Sequence, residues 1–192
     1  MAGRLGAMEP IADAPALLLL CGMSFSGKST LGHALSSRFG AEVVSFDSIN
    51  AERGLDGGAG IPVAEWMLTN EEAHHRVAAM LDRGQAVIVD DTSSPRILRD
   101  QWRAVCRASA AAFCLIYIEA SAELVTERAR ANRVSQHRGD VAEKVLEEHI
   151  AGFVAPGPDE PHVRFAAARG LLSTTDLDGL LEEVAASLHR QR

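Results

Sequence analysis

Short apolar runs alternate with segments of helical periodicity along most of the chain. The continuous run at residues 16–21 lies between Pro15 and Gly22, which is typical of a strand buried on both faces of a parallel sheet. Further strands are predicted at residues 42–46, 86–89, 113–118 and 170–173. Gly40 and Gly84 each follow a helical period, as expected of residues that end helices. The alternation predicts an α/β fold, a doubly wound parallel sheet with helices on both faces.

Helical periods fill the intervals between these strands. They cover residues 31–39, 69–83, 94–106, 121–130, 141–150 and 177–188. Ser94 before Pro95 has the form of an N-cap and a first-turn proline, and Asp140 with Glu143 resembles a capping box. The polar stretch 50–62 contains several glycines, which predicts a loop that faces the substrate.

Composition bounds the domain count and the class of partner. A chain of 192 residues with 47% hydrophobic and 23% charged residues fits one domain, predicted at 15–192 after a flexible tail at 1–14. The formal net charge of -7 disfavours extended nucleic-acid binding, which would need a local basic patch, and favours a small substrate. The cysteines, Cys21, Cys106 and Cys114, lack zinc-site spacing and are interpreted as reduced core residues.

The start of the chain carries no predicted membrane segment or secretory signal. The apolar stretch 14–21 is much too short to span a bilayer, and it leads into a glycine-rich loop rather than a cleavage site. A cytoplasmic location is therefore predicted. The apolar helix faces are compatible both with internal packing and with an interface, so the oligomeric state stays open.

The glycine-rich loop at residues 22–30 carries the strongest functional signal. It meets the full pattern G-x-x-x-x-G-K-[ST] between a predicted strand and a predicted helix, which disfavours a chance glycine-rich turn. The glycines let backbone amides turn toward phosphate oxygens at the helix N-terminus, and Lys28 would neutralise the outer phosphates of ATP. The predicted nucleotide contacts are Gly22, Ser24, Phe25, Ser26, Gly27, Lys28, Ser29 and Thr30.

A magnesium site is predicted beside this loop. The hydroxyl of Ser29 is a suitable ligand, and Mg²⁺ needs few protein ligands because it keeps several waters. Asp90, at the end of the third strand, is the better of two neighbouring carboxylates for holding the magnesium water shell. Asp91 is interpreted either as a substrate contact or as a solvated turn residue.

Asp47 is the candidate general base. It directly follows the second strand at the ligand-binding edge of the sheet, where a carboxylate can accept the proton of an attacking hydroxyl. The alternative interpretation is a cap or turn residue. Asn50 is a candidate to support Asp47.

An arginine-rich segment predicts a lid at about residues 128–140. Closure of such a lid would bring positive charge onto the transferring phosphoryl group, with Arg128, Arg130 and Arg133 favoured over Arg138. Ordinary surface arginines are the alternative.

One aromatic position and a histidine pair have structural alternatives. Trp66 is interpreted as a packing anchor or as a stacking platform for a substrate ring. His74 and His75 follow Glu71 and Glu72, but a second metal-binding helix is missing, so a solvated helix face is predicted.

The order of these features resembles the small P-loop kinases of the adenylate-kinase-like group. The likeness is strongest to AAA_33-type kinases, polynucleotide kinase domains and chloramphenicol phosphotransferases. It rests on the loop at 22–30, the Phe-Asp-Ser-Ile run at 46–49, the Val-Asp-Asp-Thr run at 89–92, the arginines of 127–133, and Phe153 with the proline-rich 156–160. The resemblance implies strand order 2-3-1-4-5, a catalytic Asp47, lid arginines, and adenine held near the C-terminal strand and helix.

The predicted function is transfer of the γ-phosphate of ATP, with Mg²⁺, to a hydroxyl of a small molecule such as an antibiotic, a nucleoside or another metabolite. Two alternatives remain open. A polynucleotide 5′-hydroxyl kinase would need a basic channel for a single strand. A regulatory NTPase or binding module would use hydrolysis to switch a partner-facing loop.

Overall fold

The computed structural model describes residues 14–56, 60–135, 139–168 and 172–191. In these ranges, parallel strands alternate with helices along the chain. The strands are β1 Ala16–Cys21, β2 Glu42–Ser45, β3 Ala86–Asp90, β4 Ala112–Glu119 and β5 Val163–Ala166. The helices are α1 Lys28–Phe39, α2 Phe46–Glu52, α3 Val63–Asp82, α4 Arg96–Ala108, α5 Ala122–Ser135, α6 Glu143–Ala151 and α7 Thr174–His189.

The strands form one parallel sheet in the order β2-β3-β1-β4-β5, which confirms the predicted topology. β1 lies at the centre, paired with β3 and β4, and all six of its residues are fully buried. This explains its continuous apolar run, because helices cover both faces of the sheet and neither side of the strand meets water.

Each face of the sheet has its own apolar core. On one face, Leu18 and Leu20 pack with residues of α1 and α7, among them Leu35 and Val184. On the other, alternate β1 residues pack with α3 and α4. The apolar residues that α3 and α4 contribute are Ala73, Val77, Leu81, Trp102 and Cys106.

The three cysteines are free thiols in these cores, as predicted. Burial raises the pKa of Cys21 and of Cys106 to about 12, and that of Cys114 to about 11. A thiol with such a pKa stays protonated at neutral pH. Across the described ranges, no helix is both long enough and apolar enough to cross a bilayer.

Two predicted elements are wrong. The fifth strand is β5, not residues 170–173, of which 170 and 171 lie outside the described residues and the other two are not strand. β5 is an edge strand of four residues with only Val163 buried, so it lacks the continuous apolar run of β1. Residues 50–52, the start of the predicted loop at 50–62, belong instead to α2. The Oγ of Ser45 caps the first turn of this helix, because it accepts a hydrogen bond from the amide of Ser48 at 3.4 Å.

Three predicted helix starts are also wrong. The N-cap of α4 is Pro95 rather than Ser94, whose Oγ instead accepts a hydrogen bond from the amide of Val154 at 2.8 Å. Ala142, which lacks a side-chain acceptor, precedes α6, so no capping box forms with Asp140. α3 begins at Val63, about 1.7 turns before the predicted start at residue 69. The predicted tail up to residue 13, residues 57–59 and Arg138 lie outside the described residues.

Candidate active site

The predicted site residues converge on the carboxyl edge of the sheet. Gly22 follows β1, Asp47 lies just after β2, and Asp90 is the last residue of β3. These three strands are neighbours in the sheet, and parallel strands end at the same edge. The topology therefore brings the glycine-rich loop and both carboxylates to one side of the molecule.

The loop between β1 and α1 is tightly folded against the sheet. The amide of Gly22 donates to the carbonyl of Thr92 at 3.2 Å, which ties the loop to the end of β3. A Cβ on Gly22 would lie 2.8 Å from the carbonyl oxygen of Ile118, so this position has no room for a side chain. Gly27 has φ of 108°, and Phe25 adopts a φ of 61° although it is not glycine. The loop thus holds an uncommon backbone conformation.

This conformation leads directly into the first turn of α1. Gly27 caps the helix without a side-chain acceptor, and the first turn contains no acidic residue. The amides of the first turn and the helix dipole together favour an anion at this end. Lys28 is 9% exposed, and its Nζ donates to the carbonyl of Met23 at 2.9 Å. The Oγ of Ser26 is buried and, within the described residues, has no hydrogen-bond partner.

Asp90 and Asp91 differ in their surroundings. Asp90 is buried and shares a sheet face with Ile88, which packs in the core that α1 covers. It therefore lies on the side of the sheet where α1 presents Ser29, which fits the predicted magnesium pair. The Oδ2 of Asp91 accepts hydrogen bonds from the amide of Ser93 at 2.8 Å and from its Oγ at 3.1 Å.

Burial raises the pKa of Asp91, while the hydrogen bond from the Ser93 amide and the positive charge of Lys28 oppose the shift. Asp91 is therefore a partly buried turn residue whose carboxylate is hydrogen-bonded to Ser93. Ser93 has a positive φ of 48°, so the turn after β3 holds an uncommon backbone conformation, as does the glycine-rich loop that it contacts. Asp91 closes this turn on the side of Lys28.

Asp47 lies in the first turn of α2 and is exposed. A general base must reach the acceptor, and an exposed carboxylate at the ligand edge meets this need. Asn50, the candidate support for Asp47, is buried, and its Oδ1 accepts a hydrogen bond from the Oγ1 of Thr69 at 2.6 Å. It therefore ties α2 to α3.

Further contacts fix α2 against α3. Arg53 donates to the carbonyl of Glu65 and to the Oγ1 of Thr69, both at 2.6 Å, and to the Oε2 of Glu65 at 2.5 Å. The rings of Phe46 and Trp66 lie 6.2 Å apart, and Trp66 is partly buried against the core. This packing agrees with the interpretation of Trp66 as an anchor.

The two histidines of α3 have different environments. The ring of His74 packs edge-on against Trp102 with centroids 4.1 Å apart, and burial lowers the pKa of His74. The predicted solvated face is therefore wrong for His74, whereas His75 is exposed.

The arginines predicted for a lid lie on α5 but serve separate contacts. Arg128 donates to the carbonyls of Ser26 and Ala168, each at 2.6 Å, and to that of Phe25 at 3.2 Å. Arg128 thus joins the glycine-rich loop to the segment after β5. Arg133 lies 3.5 Å from Asp140 and 3.8 Å from Glu143. Arg130 lines an open surface cavity of about 580 Å³ with Ala122, Glu123, Thr126 and Glu127.

A buried ion pair beside the site was missed from the sequence. Arg99 and Glu160 are each 1% exposed at the side chain and form two parallel hydrogen bonds of 2.8 and 2.7 Å. Burial opposes ionisation of Glu160, but hydrogen bonds from Arg99 and Arg103 outweigh it and lower its pKa to about 2. The only sequence signal was that Glu160 ends the proline-rich segment of the family resemblance.

The comparison with known proteins agrees with this geometry. The AAA_33 family model, described as an AAA domain, matches residues 17–156. A shikimate kinase from Nitrobacter winogradskyi is 31% identical over 119 residues, which cover 59% of this chain and 51% of that protein. This chain therefore spans about half the length of that curated relative, and less of the others that it matches.

Solved structures show the same fold. A gluconokinase from Sinorhizobium meliloti 1021 has a TM-score of 0.64 and 18% identity, with 94% of this chain and 95% of that chain covered. The Mycobacterium tuberculosis APS kinase CysC, in complex with AMPPNP and APS, has a TM-score of 0.64 and 18% identity, with 94% and 99% covered.

Proposed function

The chain belongs to the AAA_33 family, and we propose that it is an ATP- and Mg²⁺-dependent kinase that phosphorylates a hydroxyl group of a small molecule. One observation carries the proposal. The phosphate loop, the carboxylates after β3 and the exposed Asp47 all lie at the carboxyl edge of three adjacent strands. A phosphate donor, a metal and an acceptor hydroxyl can meet there in line.

The donor half would bind the phosphates of ATP. Amides at the start of α1 would donate to the phosphate oxygens, and Lys28 would exchange its contact with the Met23 carbonyl for the outer phosphates. Ser29 and Asp90 fit a magnesium site because they offer hydroxyl and carboxylate oxygens on one side of the sheet. When bound, Mg²⁺ supplies charge neutralisation at the phosphates.

Asp47 would accept the proton of the acceptor hydroxyl as the oxygen attacks the γ-phosphorus. The bond from phosphorus to the bridging oxygen of ADP breaks in the same displacement, and ADP leaves with that oxygen. Arg128 would hold the loop that binds the phosphates. Arg130 and Arg133 are proposed to stabilise the transferring group, for which Arg133 must leave Asp140 and Glu143.

Three features support a small-molecule acceptor. The net charge is -7, which disfavours a polyanionic acceptor. The relatives named above are kinases whose names refer to small molecules. The acceptor side of the site is bounded by α2 and α3, which are held together by the Asn50, Thr69 and Arg53 contacts.

Transfer of labelled γ-phosphate from ATP tests the proposal. The chain is incubated with MgCl₂ and with sugar acids, sugars, nucleosides, antibiotics or oligonucleotides, and labelled products are separated. We expect transfer to one of the small hydroxyl compounds and none by the Lys28→Ala variant. Labelling of oligonucleotide 5′ ends alone would establish the polynucleotide alternative. Hydrolysis stimulated by a protein partner, without a phosphorylated acceptor, would establish the regulatory one.

A further inference from the structure

The buried pair of Arg99 and Glu160 lies directly under the turn that carries the carboxylates. Arg99 comes from the first turns of α4, and Glu160 from the segment between α6 and β5. The Nε and Nη2 of Arg99 bind the two carboxylate oxygens of Glu160, and Arg103 donates to Oε1 of Glu160 at 2.7 Å. The guanidinium plane is therefore fixed by a bidentate partner.

The third nitrogen of Arg99 contacts the backbone of the turn. Its Nη1 donates to the carbonyls of Ser93, at 2.9 Å, and of Ser94, and reaches the carbonyl of Val154 at 3.1 Å. Ser93 also accepts from the Sγ of Cys21 at 3.4 Å. One guanidinium thus joins the end of β3 to the chain segment that follows α6.

The other side of the turn contacts the phosphate loop. The carbonyl of Thr92 accepts from the amide of Gly22, and Asp91 binds the amide and the hydroxyl of Ser93. Ser93 has φ of 48°, which an L-residue adopts only when its surroundings hold it there. Arg99 helps to hold Ser93 in this conformation, because its guanidinium donates a hydrogen bond to the carbonyl of Ser93.

A fully buried ion pair by itself contributes little to the free energy of folding. The cost of removing two charges from water often exceeds their attraction, and well-packed apolar residues can replace such a pair without loss of stability. Its bidentate geometry and its bonds to two successive carbonyls are instead suited to fixing a backbone position. This argues for a role in the site rather than in the core.

We propose that Arg99, oriented by Glu160, is a positioning residue for phosphate transfer that fixes the Asp90–Asp91 turn against the phosphate loop. The inference rests on the proposed function, since it names what holds the carboxylates of that same site. It also predicts that the segment at 153–160 affects magnesium binding, although it lies beyond the loops that would contact ATP.

The chain contains a matched control for this pair. Arg96 and Asp159 join the same two segments by an exposed ion pair, but within the described residues Arg96 makes no hydrogen bond to the turn carbonyls. The test set is Arg99→Lys, Glu160→Gln, the double variant Arg99→Met with Glu160→Met, and the control Arg96→Ala. The double variant removes both charges together, so it keeps the fold without leaving one charge buried and unpaired.

Amide hydrogen exchange of the nucleotide-free chain tests the positioning directly. We expect the amides of Gly22 and Ser93 to exchange about tenfold faster in Arg99→Lys, in Glu160→Gln and in the double variant, while amides of α7 keep their rates. Arg96→Ala should exchange like the unmodified chain. Unchanged exchange at Gly22 and Ser93 in the double variant would overturn the proposal.

Calorimetric measurement of ATP binding, in MgCl₂ or in EDTA, tests whether the pair affects magnesium binding at the site. We expect the three pair variants to need about tenfold more Mg²⁺ to reach half of the increase in ATP affinity that Mg²⁺ causes. Their ATP affinity in EDTA should change by less than about twofold. Equal weakening in both buffers would indicate general damage and would overturn the proposal. Failure of the unmodified chain to bind ATP would count against the proposed function, whereas the exchange experiment would still decide the role of Arg99.

Discussion

The phosphate-loop side and the α2–α3 side of the candidate site are built in different ways. On the first, Gly22, Lys28 and Ser93 are buried, a backbone hydrogen bond joins Gly22 to Thr92, and a buried ion pair lies beneath the turn. On the second, Asp47 is exposed, and the start of α3 exposes Val63 and Met67 at 75% and 61%. In the proposed function, donor chemistry would thus use fixed backbone groups, whereas acceptor recognition would depend on exposed side chains.

This difference accounts for what a sequence can reveal about each side. A phosphate is the same in every ATP, so the loop that binds it is constrained in its backbone and leaves a motif. An acceptor varies from kinase to kinase, so its contacts can change without altering the fold. Substitutions at Lys28, Asp47 and Thr69 should separate the two sides by their effects on ATP binding and on transfer to the acceptor, and a substitution at His74 should have a smaller effect, on stability alone.

Replacing Lys28 with Ala should have the largest effect. It removes the buried cation of the loop, so we expect phosphate transfer to fall at least about 10³-fold and ATP binding to weaken as well. Isothermal calorimetry and the labelled transfer assay measure the two effects. Arg83→Ala is the matched control, because Arg83 is exposed at the end of α3, away from the ligand edge. Retention of ATP affinity by Lys28→Ala would contradict the assignment.

Replacing Asp47 with Asn should affect the acceptor side alone. We expect kcat to fall by about 10²- to 10⁴-fold with ATP affinity within about twofold, because the amide cannot accept the hydroxyl proton. Steady-state kinetics with the acceptor found in the transfer screen gives kcat, and ATP titration gives the affinity. Asp82→Asn is the control, because Asp82 is the last residue of α3, away from the ligand edge, and it should leave both values unchanged. Equal loss of transfer and of ATP binding would instead place Asp47 in the phosphate site.

Replacing Thr69 with Val should loosen α2 from α3. The buried hydroxyl of Thr69 donates to Asn50 and accepts from Arg53, so its loss leaves both partners short of a hydrogen bond. We expect the free energy of unfolding in urea to fall by about 1–3 kcal/mol. The KM for the acceptor should rise more than the KM for ATP. An equal change in both constants would show that the α2–α3 contacts do not belong to the acceptor side.

His74 should give the smallest effect, a pH dependence of stability. Burial lowers the pKa of His74 in the folded state, so the unfolded chain binds a proton more readily. Its contribution to stability is complete above pH 6.5 and is lost as the pH falls from there through the lowered folded pKa. Urea unfolding at pH 7.5 and 5.5 should therefore show a smaller acid loss in His74→Gln than in the unmodified chain. A similar loss in both would show that other groups cause it.

Most of the fold follows from local signals in the sequence. β1 is apolar throughout because both of its faces are covered, and the motif at 22–30 places the phosphate loop directly after it. β5 was missed because an edge strand of four residues with one buried position has no clear period. α2 was missed because its apolar residues, Phe46 and Ile49, are too few in seven residues to show a helical pattern.

The site was less predictable where it depends on distant contacts. Residues 99 and 160 are 61 positions apart. The helical spacing places Arg99 on the same face of α4 as Trp102 and Cys106, but local spacing cannot identify the distant carboxylate that pairs with it. The roles of Asp47, Arg130 and Arg133 in transfer remain predictions, for which the variants above are the test.

Cys21 has a consequence for the chemical durability of the phosphate loop. The thiol precedes Gly22 directly, yet its pKa of about 12 leaves roughly one thiolate in 10⁵ molecules at neutral pH. Alkylating agents and peroxides react with the thiolate, so they should spare this sulfur in the folded chain. Burial of Cys21 should therefore protect the loop that follows it from oxidative inactivation.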